Sequence, residues 1–326
     1  MLSVLGVDLG GTKIAVGPVD REGTLLAPPI VAPAQSSDAS SLLDGLTSTL
    51  QQALAEFEQF APSAVGLACA GTVDGARGEV IKSPNLPLRD APLAAMLQVA
   101  VGLPVVLEND GNAAVLAEVV AGAAVGLRDV VMLTLGTGVG GGIIVGGRLY
   151  RGANNAAGEI GHMVVRAGGL ACRCGHRGCL EMYASGPALA RYARARAKDP
   201  ARDPGGALLT LRKHGGLHGA AVARLAREGH PGALEAVDQL AGWLGVGLVS
   251  LTNTFDPQMI VIGGGVSGLG ESLLQPAREY VRNNAMPPGR DQVQIEIAAL
   301  GNTAGLIGGA LVAWEVLSGS RDAAER

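Results

Sequence analysis

The sequence has few aromatic residues and few cysteines, and it lacks a long uninterrupted apolar run. Aromatic residues make up 3% of the 326 residues, and cysteine occurs four times. No apolar run reaches the roughly 18 residues of a membrane span, and the N-terminus shows no signal-peptide pattern. The net charge of −4 at pH 7 does not favour a polyanionic partner such as DNA. We therefore expect a cytoplasmic protein with no membrane or nucleic-acid partner.

Short runs rich in Val, Ile and Leu alternate with longer Ala/Leu-rich stretches. This alternation is typical of an α/β protein with buried strands, and the length allows two domains. The predicted strands cover residues 2–7, 14–19, 64–70, 103–109, 258–263 and 293–299. A helix is predicted over residues 38–57, with Ser40 or Ser41 as its N-cap. Further helices are predicted near residues 233–253, 271–284 and 303–318.

The design of the N-terminal segment recurs in the middle of the chain. Residues 2–23 and residues 129–150 both read as a strand, a Gly-rich turn, a second strand and a polar or Gly-rich hairpin. Gly-rich hairpins also recur by chance, but the similar order of all four parts favours an internal duplication.

Three glycine clusters stand directly after predicted strands, at residues 8–13, 135–142 and 262–267. None matches the P-loop pattern or a dinucleotide-binding fingerprint, because the first two lead into a second strand. Each alone could be an ordinary tight turn. Together they indicate phosphate binding, since glycine lets backbone N–H groups approach an anion closely. The side chains that we expect to contact phosphate, or to hold Mg²⁺ through water, are Asp8, Thr12, Lys13 and Thr137.

Asn109 and Asp110 lie where a predicted strand ends and a helix begins. Strand ends of this kind carry the chemistry of open α/β sheets, and a carboxylate there could take a proton from an attacking hydroxyl. The alternative is equally strong from position alone, since Asp110 or Asn112 could simply cap the helix. We expect the helix dipole to keep Asp110 ionised and to make it a modest base.

Three of the four cysteines, Cys172, Cys174 and Cys179, fall within eight positions. In a reducing compartment such a cluster is more typical of a metal site than of disulfides. Zn²⁺ usually takes a fourth ligand, for which His162 is the nearest upstream imidazole and His176 the competitor. A closed site of three thiolates and one imidazole would stabilise its loop rather than perform chemistry.

Two acidic residues, Glu159 and Glu181, bracket the cysteine cluster. Each could be an ordinary surface acid. If His162 binds zinc through one ring nitrogen, its orientation is fixed and the other nitrogen remains a donor. We therefore expect the metal to orient these three side chains toward a polyhydroxylated ligand.

These motifs together resemble the ROK family of bacterial sugar kinases and repressors. "DLGGTK", "LGTGVGGG" and "GGGVS" are similar to its nucleotide-binding motifs, "EIGH" to its E-x-G-H signature, and "CRCGHRGCLE" to its zinc motif. The resemblance covers residue 4 to about residue 310. It implies a duplicated actin-like ATPase fold, related to ribonuclease H, with two lobes around a catalytic cleft.

The resemblance also implies roles for individual residues. Asp110 would be the base that takes the proton from the 6-hydroxyl of a sugar. The sugar contacts would be Asn85, Asn109, Glu159, His162 and Glu181. The zinc ligands would be His162, Cys172, Cys174 and Cys179. The nucleotide-binding residues would be Asp8, Gly10, Gly11, Thr12, Lys13, Thr137, Gly138, Gly264 and Gly265.

The function implied by the resemblance is transfer of the γ-phosphoryl of Mg·ATP to a hexose, with glucose as the first expectation. Mannose, fructose and N-acetylmannosamine are alternative substrates, and a non-catalytic sugar-sensing regulator is a more distant alternative. Only seven residues precede Asp8, which disfavours the DNA-binding segment of ROK repressors. We expect a small lobe over residues 1–111, joined by a C-terminal helix at about 303–326, a large lobe over residues 112–302, and a homodimer or homotetramer.

Overall fold

The structure, a computed structural model, describes residues 2–34 and 37–319, and within them thirteen strands and eleven helices. The strands are β1 (Ser3–Leu9), β2 (Lys13–Val19), β3 (Ile30–Pro33), β4 (Pro62–Cys69), β5 (Thr72–Asp74), β6 (Glu79–Lys82), β7 (Arg89–Ala91), β8 (Val105–Asn109), β9 (Val130–Leu135), β10 (Val139–Val145), β11 (Arg148–Leu149), β12 (Met259–Gly263) and β13 (Gln294–Ile297). The helices are α1 (Ala39–Glu56), α2 (Leu93–Val101), α3 (Asp110–Ala121), α4 (Glu181–Ala184), α5 (Gly186–Arg196), α6 (Ala207–Lys213), α7 (Gly219–Arg227), α8 (Pro231–Phe255), α9 (Glu271–Asn284), α10 (Gly289–Gln292) and α11 (Ala304–Leu317).

Two five-stranded sheets have the same topology. The first has the order β3-β2-β1-β4-β8 and the second the order β11-β10-β9-β12-β13. In the first sheet, β1 pairs antiparallel with β2 and β2 with β3, whereas β4 pairs parallel with β1 and β8 parallel with β4. In the second sheet, β9, β10 and β11 pair antiparallel in the same way, β12 pairs parallel with β9, and β13 pairs parallel with β12. The predicted internal duplication is therefore present, and the two Gly-rich hairpins occupy equivalent places in the two sheets.

The central strands are buried because helices cover them. Of the seven residues in β1, six are buried, and all five residues of β12 are buried. Helix α1 packs on the first sheet through an apolar face that includes Leu42, Leu46 and Leu50. Its N-cap is Asp38, whose side chain accepts the backbone N–H of Ser41 at 2.9 Å. The prediction of a serine cap was wrong, because the helix begins at Ala39, so that Ser40 and Ser41 already lie inside its first turn.

Helix α11 lies far from the first sheet in sequence but packs against its strands β1, β4 and β8 and against α3. Glycines allow the backbones to approach closely. A Cβ on Gly66 would lie 1.9 Å from the carbonyl oxygen of Gly309, and a Cβ on Gly6 would lie 2.1 Å from that of Leu306. The first sheet therefore depends on the C-terminal helix for one of its faces.

The predicted division into lobes is not decided by these contacts and stays a prediction. Its boundary between residues 111 and 112 falls in the first turn of α3, which packs against α11 and also against β9 and β10 of the second sheet. Residues 1, 35, 36 and 320–326 of the predicted small lobe lie outside the described residues.

One helix of the described residues, α8, is long and apolar enough to cross a membrane by length and composition alone. Half of its most apolar window is buried inside the protein. It packs against α5, α7 and α9 in the core beside the second sheet. Those contacts are the ones expected of a core helix in a globular domain.

Candidate active site and metal cluster

The two equivalent hairpin turns are closed by short backbone hydrogen bonds. In the first turn, the N–H of Gly10 donates to the carbonyl of Lys13 at 3.0 Å. In the second turn, the N–H of Gly136 donates to the carbonyl of Gly138 at 2.9 Å. Thr137 is exposed at the tip of the second turn, as Thr12 is in the first. The predicted phosphate-binding residues therefore lie in two matching turns, each with an exposed hydroxyl.

Asp8 lies at the end of β1, beside the first turn. Desolvation raises the pKa of its carboxyl group, and the nearby charge of Lys13 opposes that shift. Gly11 packs against Asn85, where a Cβ on the glycine would lie 3.0 Å from Cβ of the asparagine. The structure thus brings exposed Asn85 to the first turn, although these residues are far apart in sequence.

A cavity of about 680 Å³ opens beside the second turn. Its lining is largely apolar, with Arg194 and His218 as the charged or titratable members. The lining residues are Gly136, Thr137, Gly186, Pro187, Leu189, Ala190, Arg194, Leu217, His218, Gly219, Ala220, Ala223, Gly265 and Val266. A volume of this size and lining is suited to a nucleoside.

The third glycine cluster forms one edge of this cavity. Gly265 lines it directly, and Gly264 precedes Gly265 with φ of +82°. A Cβ on Gly264 would lie 2.5 Å from the carbonyl oxygen of Leu135. Only glycine suits position 264, since both the positive φ and the close approach to β9 exclude a side chain.

Asn109, and not Asp110, is the N-cap of α3. Its Oδ1 accepts the N–H of Gly111 at 2.8 Å and the N–H of Asn112 at 3.0 Å. Its Nδ2 donates to the carbonyl of Gly71 at 2.9 Å and to Oδ1 of Asp110 at 3.2 Å. All its hydrogen-bonding capacity is used, so a direct contact with a sugar would replace one of these bonds.

Asp110 is the first residue of α3 and remains open to solvent. Desolvation by the surrounding protein is the largest cause that raises its pKa to about 6, with the charges of Asp8 and Glu159 adding to the shift. The N–H of Gly111 donates to Oδ1 of Asp110 at 2.9 Å and opposes it. The expectation of a modest base was therefore wrong, because desolvation outweighs the helix N-terminus.

The first turn of α3 packs on the backbone of β10. A Cβ on Gly111 would lie 2.3 Å from the carbonyl oxygen of Gly141, and a Cβ on Gly142 would lie 2.6 Å from that of Gly111. Asp110 is consequently held where the two sheets meet. This position allows one carboxylate to face ligands that contact both halves of the protein.

The four predicted metal ligands come together in space. One ligand atom from each of His162, Cys172, Cys174 and Cys179 lies within 4.8 Å of the other three. The Sγ atoms of Cys174 and Cys179 are 3.6 Å apart, and Sγ of Cys172 is 3.8 Å from Nδ1 of His162. The competing imidazole, His176, has Nδ1 3.6 Å from Sγ of Cys174 but lies outside the four-residue cluster.

His162 and the two acidic residues connect this cluster to the second turn. Nε2 of His162 lies 3.8 Å from Oε2 of Glu159, on the side away from the cysteines. Oε2 of Glu181 accepts the N–H of Val139 at 3.1 Å, and its Oε1 lies 4.0 Å from Sγ of Cys172. Glu181 is therefore tied to the metal cluster and to the second hairpin at once. The fourth cysteine, Cys69, is buried in β4, where desolvation raises the pKa of its thiol to about 12.

Two residues beside Asp110 were missed by the sequence analysis. Glu108 is buried at the end of β8, and its Oε2 accepts Nε of Arg151 at 2.7 Å. One feature of the sequence did point to Glu108, namely a glutamate inside an otherwise apolar strand. A buried glutamate almost always has a charged partner. Nothing in the sequence could identify Arg151 as that partner, since 43 positions separate the two.

Comparison with known proteins places these features in one family. The sequence model of the ROK family matches residues 4–316. The chain belongs to the ROK family. A glucokinase of Streptomyces coelicolor is 42% identical over 313 residues, covering 95% of this chain and 97% of the relative. This ROK chain is also similar to a solved ROK family glucokinase from Streptomyces griseus in complex with glucose and AMPPNP.

The Streptomyces griseus structure has 41% identity and a TM-score of 0.82, over 95% of this chain and 98% of the other. A ROK hexokinase from Thermus thermophilus has 37% identity and a TM-score of 0.79, over 97% and 99%. The predicted family and the predicted actin-like ATPase fold with two lobes are confirmed. The roles of individual ROK site residues remain to be argued from geometry.

Proposed function

We propose that the chain is an ATP-dependent glucokinase in which Asp110 is the general base. The prediction of this activity from the sequence is confirmed at the level of the family by the glucokinase relatives. The observation that carries the residue assignment is Asp110 itself, a solvent-open carboxylate with a pKa raised to about 6 where the two halves meet. A base with a pKa near the working pH is the most effective kind.

In the proposed reaction, the 6-hydroxyl oxygen of glucose attacks the γ-phosphorus of ATP. The bond from that phosphorus to the β,γ-bridging oxygen breaks, and ADP leaves with the bond's electron pair. The hydroxyl proton passes to the carboxylate of Asp110, giving glucose 6-phosphate. Asn109 orients the base, because its Nδ2 donates to Oδ1 of Asp110. Little covalent chemistry is left to the protein, so positioning and charge stabilisation supply most of the catalysis.

The nucleotide would bind with its phosphates between the two hairpin turns and its base in the 680 Å³ cavity. Lys13 and the N–H groups of both turns would contact the phosphates. Asp8 suits Mg²⁺, since its carboxylate lies beside the first turn and hard oxygen ligands are what that ion takes. Bound with ATP, Mg²⁺ would offset the phosphate charge.

Glu159, His162, Glu181, Asn85 and Asn109 are the proposed sugar-binding side chains. The first three are joined through the cysteine cluster, which would hold one structural Zn²⁺ with His162, Cys172, Cys174 and Cys179. Two thiolates on one tetrahedral zinc lie about 3.8 Å apart, close to the separations found in the cluster. The metal would stabilise the loop and leave Nε2 of His162 free to donate.

The metal assignment is tested by zinc content and by variants of each imidazole. We expect about one zinc per chain in the parent and in His176→Asn, and a loss of zinc in His162→Asn and Cys179→Ser. Cys69→Ala is the matched control, because that thiol lies outside the cluster. Zinc retained in His162→Asn but lost in His176→Asn would reassign the fourth ligand.

The function is tested by ADP release from Mg·ATP with glucose, mannose, fructose, N-acetylglucosamine and N-acetylmannosamine. We expect glucose to give the highest kcat/KM, and Asp110→Asn to abolish most of the turnover while still binding glucose. Asp44→Asn is the matched control, because this acid is exposed on α1 and belongs to neither turn. Sugar binding without turnover in the parent would instead favour a regulator. The homo-oligomeric state, the cytoplasmic location and the division into lobes remain predictions.

A further inference from the structure

The buried ion pair between Glu108 and Arg151 joins the two halves of the protein. Glu108 is the last residue but one of β8 in the first sheet, and Arg151 follows β11 of the second. Their atoms Oε2 and Nε are 2.7 Å apart, and only 5% of the glutamate side chain is exposed. A charge buried this deeply is retained only with good partners.

The other carboxylate oxygen of Glu108 holds the corner that carries Asp110. Oε1 accepts the backbone N–H of Asn109 at 3.0 Å and Nδ2 of Asn112 at 3.0 Å. These two residues flank Asp110 on either side. The position of the base is therefore set by a carboxylate whose own position is set by Arg151.

Arg151 also begins the segment that leads to the proposed sugar site. Its carbonyl accepts the N–H of Ala157 at 3.0 Å, which closes the turn before Glu159. Asn155 in this turn reaches the first half of the protein, where its Nδ2 lies 3.3 Å from Oδ1 of Asp74. Arg151 thus contacts Glu108 beside the base through its side chain, and it holds the turn before Glu159 through its backbone carbonyl.

Within the described part of the chain, the cluster leaves buried polar atoms without hydrogen bonds. Two of its buried atoms, Oδ1 of Asn112 and Nη2 of Arg151, have no hydrogen-bond partner within the described residues. Nη2 lies 4.0 Å from Oε2 of Glu315 on α11. Unsatisfied buried groups cost free energy, which lowers the net stability that this pair contributes to the fold.

We propose that Arg151 is a positioning residue for phosphoryl transfer, which acts through Glu108 to hold Asp110 in register with the segment carrying Glu159. The inference rests on the proposed kinase function and deepens it. Arg151 touches no reacting atom. Its contribution is geometric, and misplacing a catalytic group by about 1 Å can cost on the order of 100-fold in rate.

The test separates kcat from KM in Arg151→Met, Arg151→Lys and Glu108→Gln. We expect kcat with glucose to fall about 10- to 100-fold in Arg151→Met, and less in Arg151→Lys, which keeps the charge opposite Glu108. KM for ATP should stay within about twofold, because the cluster lies away from the nucleotide cavity. The double variant Glu108→Gln/Arg151→Met should be no slower than the slower single variant, since the two residues act as one unit.

Arg196→Met is the matched control. It removes another partly buried pair, in which Nε of Arg196 lies 3.0 Å from Oε2 of Glu235 between α5 and α8. We expect this variant to lose thermal stability and to keep its kcat. All rates are compared well below each variant's Tm, so that unfolding does not contribute.

The outcomes are distinct. An Arg151→Met enzyme with a lower Tm and parental kcat would show that the pair is structural and overturn the proposal. If Arg151→Met does not fold, the near-isosteric Glu108→Gln decides, and a parental kcat there has the same meaning. A parent chain that releases ADP with none of the five sugars would overturn the kinase function, and the positioning role with it.

Discussion

The acid limb of the pH profile is the sharpest test of Asp110. Desolvation raises the pKa of this carboxyl group from its ordinary 3.8 to about 6. Only the ionised carboxylate can accept the proton, so activity is lost as pH falls through the pKa of Asp110 in the form of the enzyme that binds glucose. At pH 5, about one molecule in eleven would carry the ionised form, whereas an ordinary aspartate would be more than about 90% ionised.

The measurement is kcat/KM for glucose between pH 4.5 and 9 at saturating Mg·ATP, with glucose well below its KM. We expect a plateau above about pH 7 and a fall of about tenfold for each unit below pH 6. Asp110→Asn should lower the plateau by about 10²- to 10⁴-fold, the contribution typical of a general base. Its residual activity should also lack the limb near pH 6.

Two results would refute this reasoning. A parental profile that stays flat down to pH 5 would show that the base has an ordinary pKa or that proton transfer does not limit kcat/KM. An unchanged limb in Asp110→Asn would assign the titration to another group. Circular dichroism at pH 5 checks that the fold persists, and Asp44→Asn should reproduce the parental limb.

Three further variants test other parts of the structure. Gly111→Ala places a Cβ 2.3 Å from the carbonyl of Gly141, so we expect α3 to shift and kcat to fall about 100-fold; a crystal structure and kinetics check this. Ala220→Trp should fill part of the nucleotide cavity, raising KM for ATP at least tenfold while KM for glucose stays within about twofold in steady-state assays. Glu118 is fully buried, and its carboxylate accepts hydrogen bonds from the N–H groups of Ala123, Ala299 and Leu300. Glu118→Ala should therefore lower the free energy of unfolding, measured in urea, by at least about 3 kcal/mol. A decrease below about 1 kcal/mol would contradict this role.

Local patterns were enough to predict the parts of the site that are contiguous in sequence. The two hairpin turns and the cysteine loop depend on residues within a few positions of one another. Glycine clusters indicate tight turns, and closely spaced cysteines indicate a metal site, without reference to the rest of the chain. The helix α9 begins and ends at the predicted residues 271 and 284. The ends of the predicted strands differ from the observed ends by at most two residues, as in β8, which begins at Val105 instead of residue 103.

The parts that depend on contacts between distant segments could not be predicted. The raised pKa of Asp110 comes from the protein packed around it and from the charges of Asp8 and Glu159, none of which is visible in the sequence around position 110. The same holds for Arg151 as the partner of Glu108. The cap of α3 was considered at Asp110 and Asn112, whereas the structure assigns it to Asn109, because Asp110 and Asn112 already lie inside the helix, which begins directly after the last residue of β8.

The return of α11 to the first sheet has a consequence for synthesis of the chain. Strands β1, β4 and β8 are all complete by residue 109, but the helix that covers one face of them begins only at residue 304. Ribosomes add about 5 to 20 residues per second, so roughly 200 intervening residues take about 10 to 40 seconds. Throughout that interval the nascent sheet exposes an apolar face, which makes the partly synthesised chain a substrate for chaperones and prone to aggregation.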